Sequence, residues 1–202
     1  MGKFIVFEGI DGSGKSTQIR LLAEKLRERG EKVYVTAEPT ESVSGGLLRD
    51  ALCGIAKRTA CEMAALFALD RIFHNVNPVN GIEKMLRDGF YVICDRYYYS
   101  TLAYQGNETD VEWVRRMNID CPEIRRPDVC IFLDVSPETG LSRVQNGSRG
   151  FTEIYEKAET LKAVRAKYFD AFSILGDSEN VKIIDAARAP DMVAADVLSA
   201  IE

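Results

Sequence analysis

From Gly9 to Thr17 the chain reads Gly9-Ile10-Asp11-Gly12-Ser13-Gly14-Lys15-Ser16-Thr17. Four positions separate the first glycine from the Gly-Lys-Ser triplet, the spacing of a phosphate cradle. Glycines at those places let backbone N–H groups converge on phosphate oxygens at the N-terminus of a following helix. Lys15 adds a point charge toward the β and γ phosphates, and the Ser16 hydroxyl is a hard oxygen ligand suited to Mg²⁺. All nine residues are therefore candidate contacts of a nucleoside triphosphate, with Lys15 the catalytic cation. By average residue usage, a chance match in a chain this long arises on the order of one time in a hundred. Asp11 is the odd member, a carboxylate inside a cradle for anions.

A second group lies in DRYYYSTLAYQG, residues 95 to 106, directly after the apolar run FYVIC. Asp95 at that point is placed to help hold the Mg²⁺ hydration shell, and Arg96 to bind a phosphate bidentately. Taken alone, an Asp-Arg pair after a strand also fits a surface ion pair. Upstream, Phe67 and Arg71 stand four apart on one helix face, where a ring and a guanidinium can stack on a base and hydrogen-bond its edge. A core phenylalanine beside an arginine paired to a carboxylate is the plainer reading of those two by themselves. A triphosphate loop serves GTPases, ATPases and small-molecule kinases. The chain has no Asn-Lys-x-Asp guanine reader. Its VSGGLL run at 43 to 48 follows the loop too soon to be a transporter signature.

Five short apolar runs must carry these groups: residues 3 to 9, 31 to 37, 90 to 95, 128 to 135 and 180 to 186. Their near-continuous apolarity predicts parallel strands covered on both faces. Between the first two, Ile19, Leu22, Ala23 and Leu26 keep helical spacing, and Gly30 stands where a helix would stop. Further helices are predicted over 61 to 75, 111 to 117, 137 to 144, 153 to 175 and 190 to 201. Alternating strands and helices predict an α/β protein of the P-loop NTPase type, with a five-stranded parallel sheet, helices on both faces and ligands at the C-terminal strand ends. The polar stretch 145 to 153 between two helices is the expected short lid.

The 202 residues, 46% hydrophobic and 28% charged, fit one globular domain over 1 to 202. The five cysteines form no C-x-x-C pair and their number is odd, which fits a reducing cytosol. With His74 the only histidine, zinc ligation is disfavoured; His74 reads as structural or solvent-facing. A net charge of -5 disfavours long nucleic acid. No apolar run reaches the ~18 to 20 residues of a membrane span, and no charged-then-apolar leader opens the chain. A cytoplasmic location is expected.

Along nearly its whole length the chain resembles the thymidylate kinase family. The resemblance rests on FEGIDGSGKST, Glu38-Pro39 with LLR at 47 to 49, LFALDR at 66 to 71, VICDRYYYSTLAYQG, PDVCIFLDVSPETGLSR, TEIYEK at 152 to 157 and IIDA at 183 to 186. It implies transfer of the γ-phosphoryl group of ATP to the 5′-phosphate of dTMP, with Mg²⁺, in a homodimer joined through helix faces such as Met63 to Leu69. By position, Phe67 would stack on thymine, and Arg71 would bond its edge and approach the phosphates. Arg96 would grip the acceptor phosphate, Thr101 and Gln105 would meet the base, and Tyr104 would crowd the sugar 2′ position. Glu38 and Pro39 would bind dTMP from the acceptor loop, and Arg49 would be either a further phosphate ligand or a residue on a helix surface. Asp11 would face the deoxyribose 3′-hydroxyl or a Mg²⁺-bound water, and the 186 to 190 loop would meet adenine.

Some members of the family carry an arginine inside the phosphate loop, whereas here Ile10, Asp11, Gly12 and Ser13 hold none. The transition-state charge is then expected from Arg149 in the lid, with Arg143 on the preceding helix. Bacterial members show R-E-P-G-G where this chain has Ala37-Glu38-Pro39-Thr40, a form that resembles archaeal members. Those departures leave two alternatives open: a kinase of another pyrimidine monophosphate or of a deoxynucleoside, or a weakly catalytic nucleotide-binding regulator.

Overall fold

The computed structural model describes residues 2–106, 108–145 and 158–202. All five apolar runs are strands: β1 (Phe4–Glu8), β2 (Val33–Ala37), β3 (Tyr91–Asp95), β4 (Val129–Asp134) and β5 (Val181–Asp185). They pair only in parallel, in the order β2-β3-β1-β4-β5. Successive strand residues point to opposite faces, so the complete burial of β1 means that both faces are covered there. The edge strands β2 and β5 are only half buried.

Register fixes the working end of the sheet. Phe7 pairs with Asp95, Glu8 with Phe132, Ala37 with Asp95, and Asp134 with Asp185, so the carboxyl ends of the strands finish level. Every loop that carries a candidate group leaves from that rim, as expected of an α/β sheet.

The predicted helices appear as α1 (Lys15–Glu28), α3 (Ala60–Val76), α6 (Val111–Ile119), α7 (Pro137–Gln145), α8 (Ala158–Leu175) and α9 (Pro190–Ile201), joined by α2 (Val43–Leu52), which starts at the VSGGLL run, and by the unpredicted α4 (Ile82–Arg87) and α5 (Tyr98–Tyr104). The pair Gly45-Gly46 lowers the helical propensity of α2, which starts because the Ser42 hydroxyl accepts the Gly45 N–H. Its other requirement is steric: a Cβ on Gly45 would lie 1.8 Å from the Thr40 carbonyl oxygen. Three consecutive tyrosines argue for a strand at α5, and burial overrides them, since Tyr97, Tyr98 and Tyr99 are all inaccessible to solvent. α3 opens on a complete capping box between Thr59 and Glu62. Around the sheet, α1 packs on α9, and α5 on α8. Of the lid expected at 145 to 153, Gln145 ends α7, and the rest with Arg149 lies outside the described residues, as do positions 153 to 157 of the helix predicted from 153.

Candidate active site

The loop between β1 and α1 takes its shape from three glycines with positive φ, Gly9 at 141°, Gly12 at 77° and Gly14 at 98°. Side chains rarely tolerate that region, so glycine there turns the N–H groups inward. At Gly12 space is lacking as well, because a Cβ would sit 2.1 Å from the carbonyl oxygen of Gly140 on α7. The flanking positions are equally committed. Ile10 is in the core, Ser13 is buried, and Asp11 pairs with Arg96. Of the four variable positions, Gly12 has no room for a side chain, and the other three are already engaged in the core or in pairing.

Lys15 opens α1, and its Nζ donates to the carbonyls of Gly9 (2.9 Å) and Ile10 (3.3 Å). Burial, and then the neighbouring Arg96 charge, push its pKa down against the pull of Asp95, Asp11 and Glu8. Ser16 and Asp95 line one groove, and the buried Asp95 Oδ1 has no hydrogen-bond partner among the described residues. A hydroxyl and a carboxylate with an uncommitted oxygen are the hard donors that Mg²⁺ takes.

Opposite the loop, Glu38, Pro39, Phe67, Arg71, Arg96, Tyr104 and Gln105 line a single cavity of about 110 Å³ with Leu52, Tyr97 and Ser100. The predicted acceptor residues thus converge, with two exceptions. Thr101 stands just behind, its hydroxyl accepting from Arg71 Nη2 at 3.2 Å. Arg49 holds the loop itself, donating to the carbonyls of Thr40 (2.6 Å) and Pro39 (3.3 Å).

Arg71 is a fixed wall. Its guanidinium, fully buried, donates through Nε (2.9 Å) and Nη2 (2.6 Å) to Glu38 and through Nη1 to Asn118, and lies 4.9 Å over the Tyr97 ring. The other Glu38 oxygen meets His74 Nδ1 at 3.0 Å, and His74 Nε2 meets the Thr36 hydroxyl at 2.7 Å. His74 is structural, and of the two readings its burial removes the solvent-facing one.

Arg96 has φ 69°, the positive-φ residue other than glycine among the described residues, and its N–H donates to the Phe7 carbonyl at 2.9 Å. That turn aims the guanidinium across the gap. Nη2 reaches Asp11 Oδ1 at 2.5 Å, and the group faces the Tyr104 ring at 5.6 Å. The donor loop and the acceptor cavity therefore meet in one ion pair. On the donor's far side, Arg143 donates from Nη1 and Nη2 to the Ala186 carbonyl, both at 3.1 Å, which ties α7 to the 186 to 190 loop.

The departure at Thr40 has a physical role. Asp70 accepts from the Thr40 N–H (2.8 Å) and hydroxyl (2.7 Å) and from the Ser42 and Ser44 hydroxyls (both 2.8 Å), so polar side chains replace a flexible glycine pair. Burial raises the Asp70 pKa, but the bonds from Thr40, Ser42 and Ser44 outweigh it and hold the carboxyl below its usual 3.8. A depressed carboxyl contributes stability that is whole above pH 3.8 and lost as pH falls through the lower folded value. Asp70→Asn should therefore cost about 2 kcal/mol at neutral pH. In thermal melts the gap to the parent protein should narrow below pH 3.8.

Sequence reasoning missed Glu8, Leu52, Ser100, Asn118 and Tyr168. Two carried a signal: Glu8, an ionisable residue ending an otherwise apolar strand, and Ser100, the serine of the DRYYYSTLAYQG motif.

The family model described as thymidylate kinase matches residues 7–197. Among curated proteins, the "Probable thymidylate kinase" of Pyrobaculum aerophilum is 40% identical over 201 residues, covering 98% of this chain and 96% of the relative. That of Caldivirga maquilingensis is 38% identical, with 98% and 93% covered. The "Thymidylate kinase" of Desulfotalea psychrophila is 37% identical, also with 98% and 93% covered.

Proposed function

This chain belongs to the thymidylate kinase family, and on that premise we propose how its loop and cavity divide the work of dTMP phosphorylation. The enzyme transfers the γ-phosphoryl group of ATP to dTMP, forming dTDP and ADP. The observation that carries the assignment of parts is the Asp11 to Arg96 pair, because it brings the triphosphate loop and the acceptor cavity within one hydrogen bond. Transfer between two anionic partners demands placement and positive charge more than covalent help.

In this reading Gly9 to Thr17 cradle the ATP phosphates, and Lys15 leaves its carbonyl partners for the β and γ oxygens. Ser16 and Asp95 would hold Mg²⁺, which when bound neutralises charge on the phosphates. Arg96 turns from Asp11 to the acceptor phosphate, and Asp11 then takes the deoxyribose 3′-hydroxyl. Phe67, Leu52 and Pro39 form an apolar slot for thymine, with Arg71, Thr101 and Gln105 at its edge. Burial pushes the Tyr104 phenol up, so it meets the sugar 2′ position as a neutral group. The rigid Glu38 wall and Arg49, through the Pro39 and Thr40 carbonyls, keep the slot's shape. Arg149 supplies the remaining transition-state charge.

Arg143, expected beside the transition-state charge, is instead tied to the Ala186 carbonyl, so we place it with the 186 to 190 loop on the adenine side. Arg143→Ala should raise the KM for ATP about tenfold, the scale of a lost charged contact, while the KM for dTMP stays within twofold. Equal rises for both substrates would remove it from the ATP site.

A homodimer fits the exposed stripe Leu69, Phe73 and Val76 on α3, spaced by four and three residues. The N-terminal part of the expected face does not join it, since Met63 is buried with Leu48, Ala51 and Leu52. No described helix is long and apolar enough to cross a membrane, and a cytoplasmic site fits the free thiols of all five cysteines. Light scattering of Phe73→Glu against the parent tests the dimer.

Purified protein with ATP, Mg²⁺ and a panel of dTMP, UMP, CMP and thymidine tests the substrate. ADP should form fastest with dTMP. A faster rate with another acceptor, or nucleotide binding without ADP release, would overturn the reading.

A further inference from the structure

Behind the acceptor arginine lies a buried carboxylate that the reaction does not touch. Glu8 ends the central strand and is inaccessible to solvent. Its Oε1 accepts the N–H groups of Tyr97 (2.8 Å) and Ser100 (3.1 Å), at the start of α5. Its Oε2 accepts the hydroxyls of Ser100 (2.6 Å) and Tyr168 (2.9 Å). Burial raises the Glu8 pKa, opposed by Arg96 and by these donors.

Each hydroxyl has one proton, and Glu8 takes both. The Ser100 and Tyr168 oxygens, 2.9 Å apart, are left with lone pairs facing the same donor, Arg96 Nη1, at 3.3 and 3.4 Å. Burial and the Glu8 charge push the Tyr168 phenol well up, so it remains a protonated donor. Arg96 is thus gripped on its Nη1 side from within the protein, while Nη2 points to Asp11 and the gap. One turn earlier on α8, Arg165 makes paired 2.7 Å bonds to Asp134 at the end of β4, which sets the depth at which Tyr168 enters.

We propose that Tyr168, oriented by Glu8, is a positioning residue for the acceptor phosphate: with Ser100 it fixes the Nη1 side of Arg96 so that the Nη2 side meets the phosphate. The proposal rests on the reading of Arg96 as the acceptor-phosphate ligand. A residue in the left-handed region persists only where its surroundings hold it, and beside Asp11 and the Tyr104 ring the two hydroxyls are part of that hold.

The test is a double-mutant cycle on the full chain. Tyr168→Phe keeps the ring in its packing against Phe132 and removes one oxygen. It should lower kcat/KM for dTMP about tenfold, the scale of one hydrogen bond to a charged group. The KM for ATP should stay within about twofold, since only uniform binding to ATP would move it. Ser100→Ala, which removes the other oxygen, should act in the same direction and covers the case in which Tyr168→Phe does not fold. In an Arg96→Lys background the guanidinium is gone, so either variant should then have little further effect on dTMP. Full additivity in that background, or equal loss toward ATP and dTMP, would overturn the proposal and leave Tyr168 as packing. If Arg96→Lys itself leaves dTMP turnover unchanged, the acceptor reading of Arg96 fails first, and the proposal falls with it.

Discussion

Arg96→Ala is expected to lower kcat/KM for dTMP by about a thousandfold or more, the range seen when a guanidinium that stabilises phosphoryl-transfer charge is removed. The geometry sets that size. Arg96 is the cation at the meeting of loop and cavity, with one face on Asp11 and the other on two oriented hydroxyls. Removing it also withdraws the ion-pair partner of Asp11, which is 4% exposed, so some loss of stability accompanies the loss of rate. Arg96→Lys separates the two effects, since an ammonium restores charge without the planar fork. Steady-state rates for both substrates, read beside thermal melts, decide the matter. A drop of less than tenfold in a folded Arg96→Ala protein would place the acceptor phosphate elsewhere.

The second large effect is on stability. Glu38→Ala leaves the Arg71 guanidinium buried without its carboxylate, and breaking a buried pair from one side costs about 3 to 5 kcal/mol. For a chain of this size that is a fall of roughly 10 °C in Tm. His74 loses a partner at the same time, which adds to the cost. Glu38→Gln keeps an acceptor oxygen and should lose less. Calorimetry checks both, and a fall under about 3 °C would mean that water reaches Arg71.

The sheet was legible because parallel strands buried on both faces need uninterrupted apolar runs, and each of the five runs became a strand. The triphosphate loop was legible for another reason, since its glycine spacing encodes backbone geometry. α5 was not, because its tyrosines prefer strands until the core encloses them. The acceptor residues came through family resemblance, and most converge on one cavity. What neither route reached was the support behind them. Tyr168 and Glu8 meet across 160 positions of chain, and Asp70 gathers three hydroxyls from a loop about thirty residues away, so no local pattern announces either contact.

The close approach of Gly12 to Gly140 bears on how such a catalyst could be altered. The loop backbone at Gly12 and the α7 backbone at Gly140 fill each other's side-chain space, for a Cβ on Gly140 would in turn lie 2.6 Å from the Asp11 carbonyl oxygen. A side chain at either position therefore requires the loop and α7 to move apart together. Directed evolution confined to single steps should leave Gly12 and Gly140 untouched, since tolerance at one depends on backbone movement at the other.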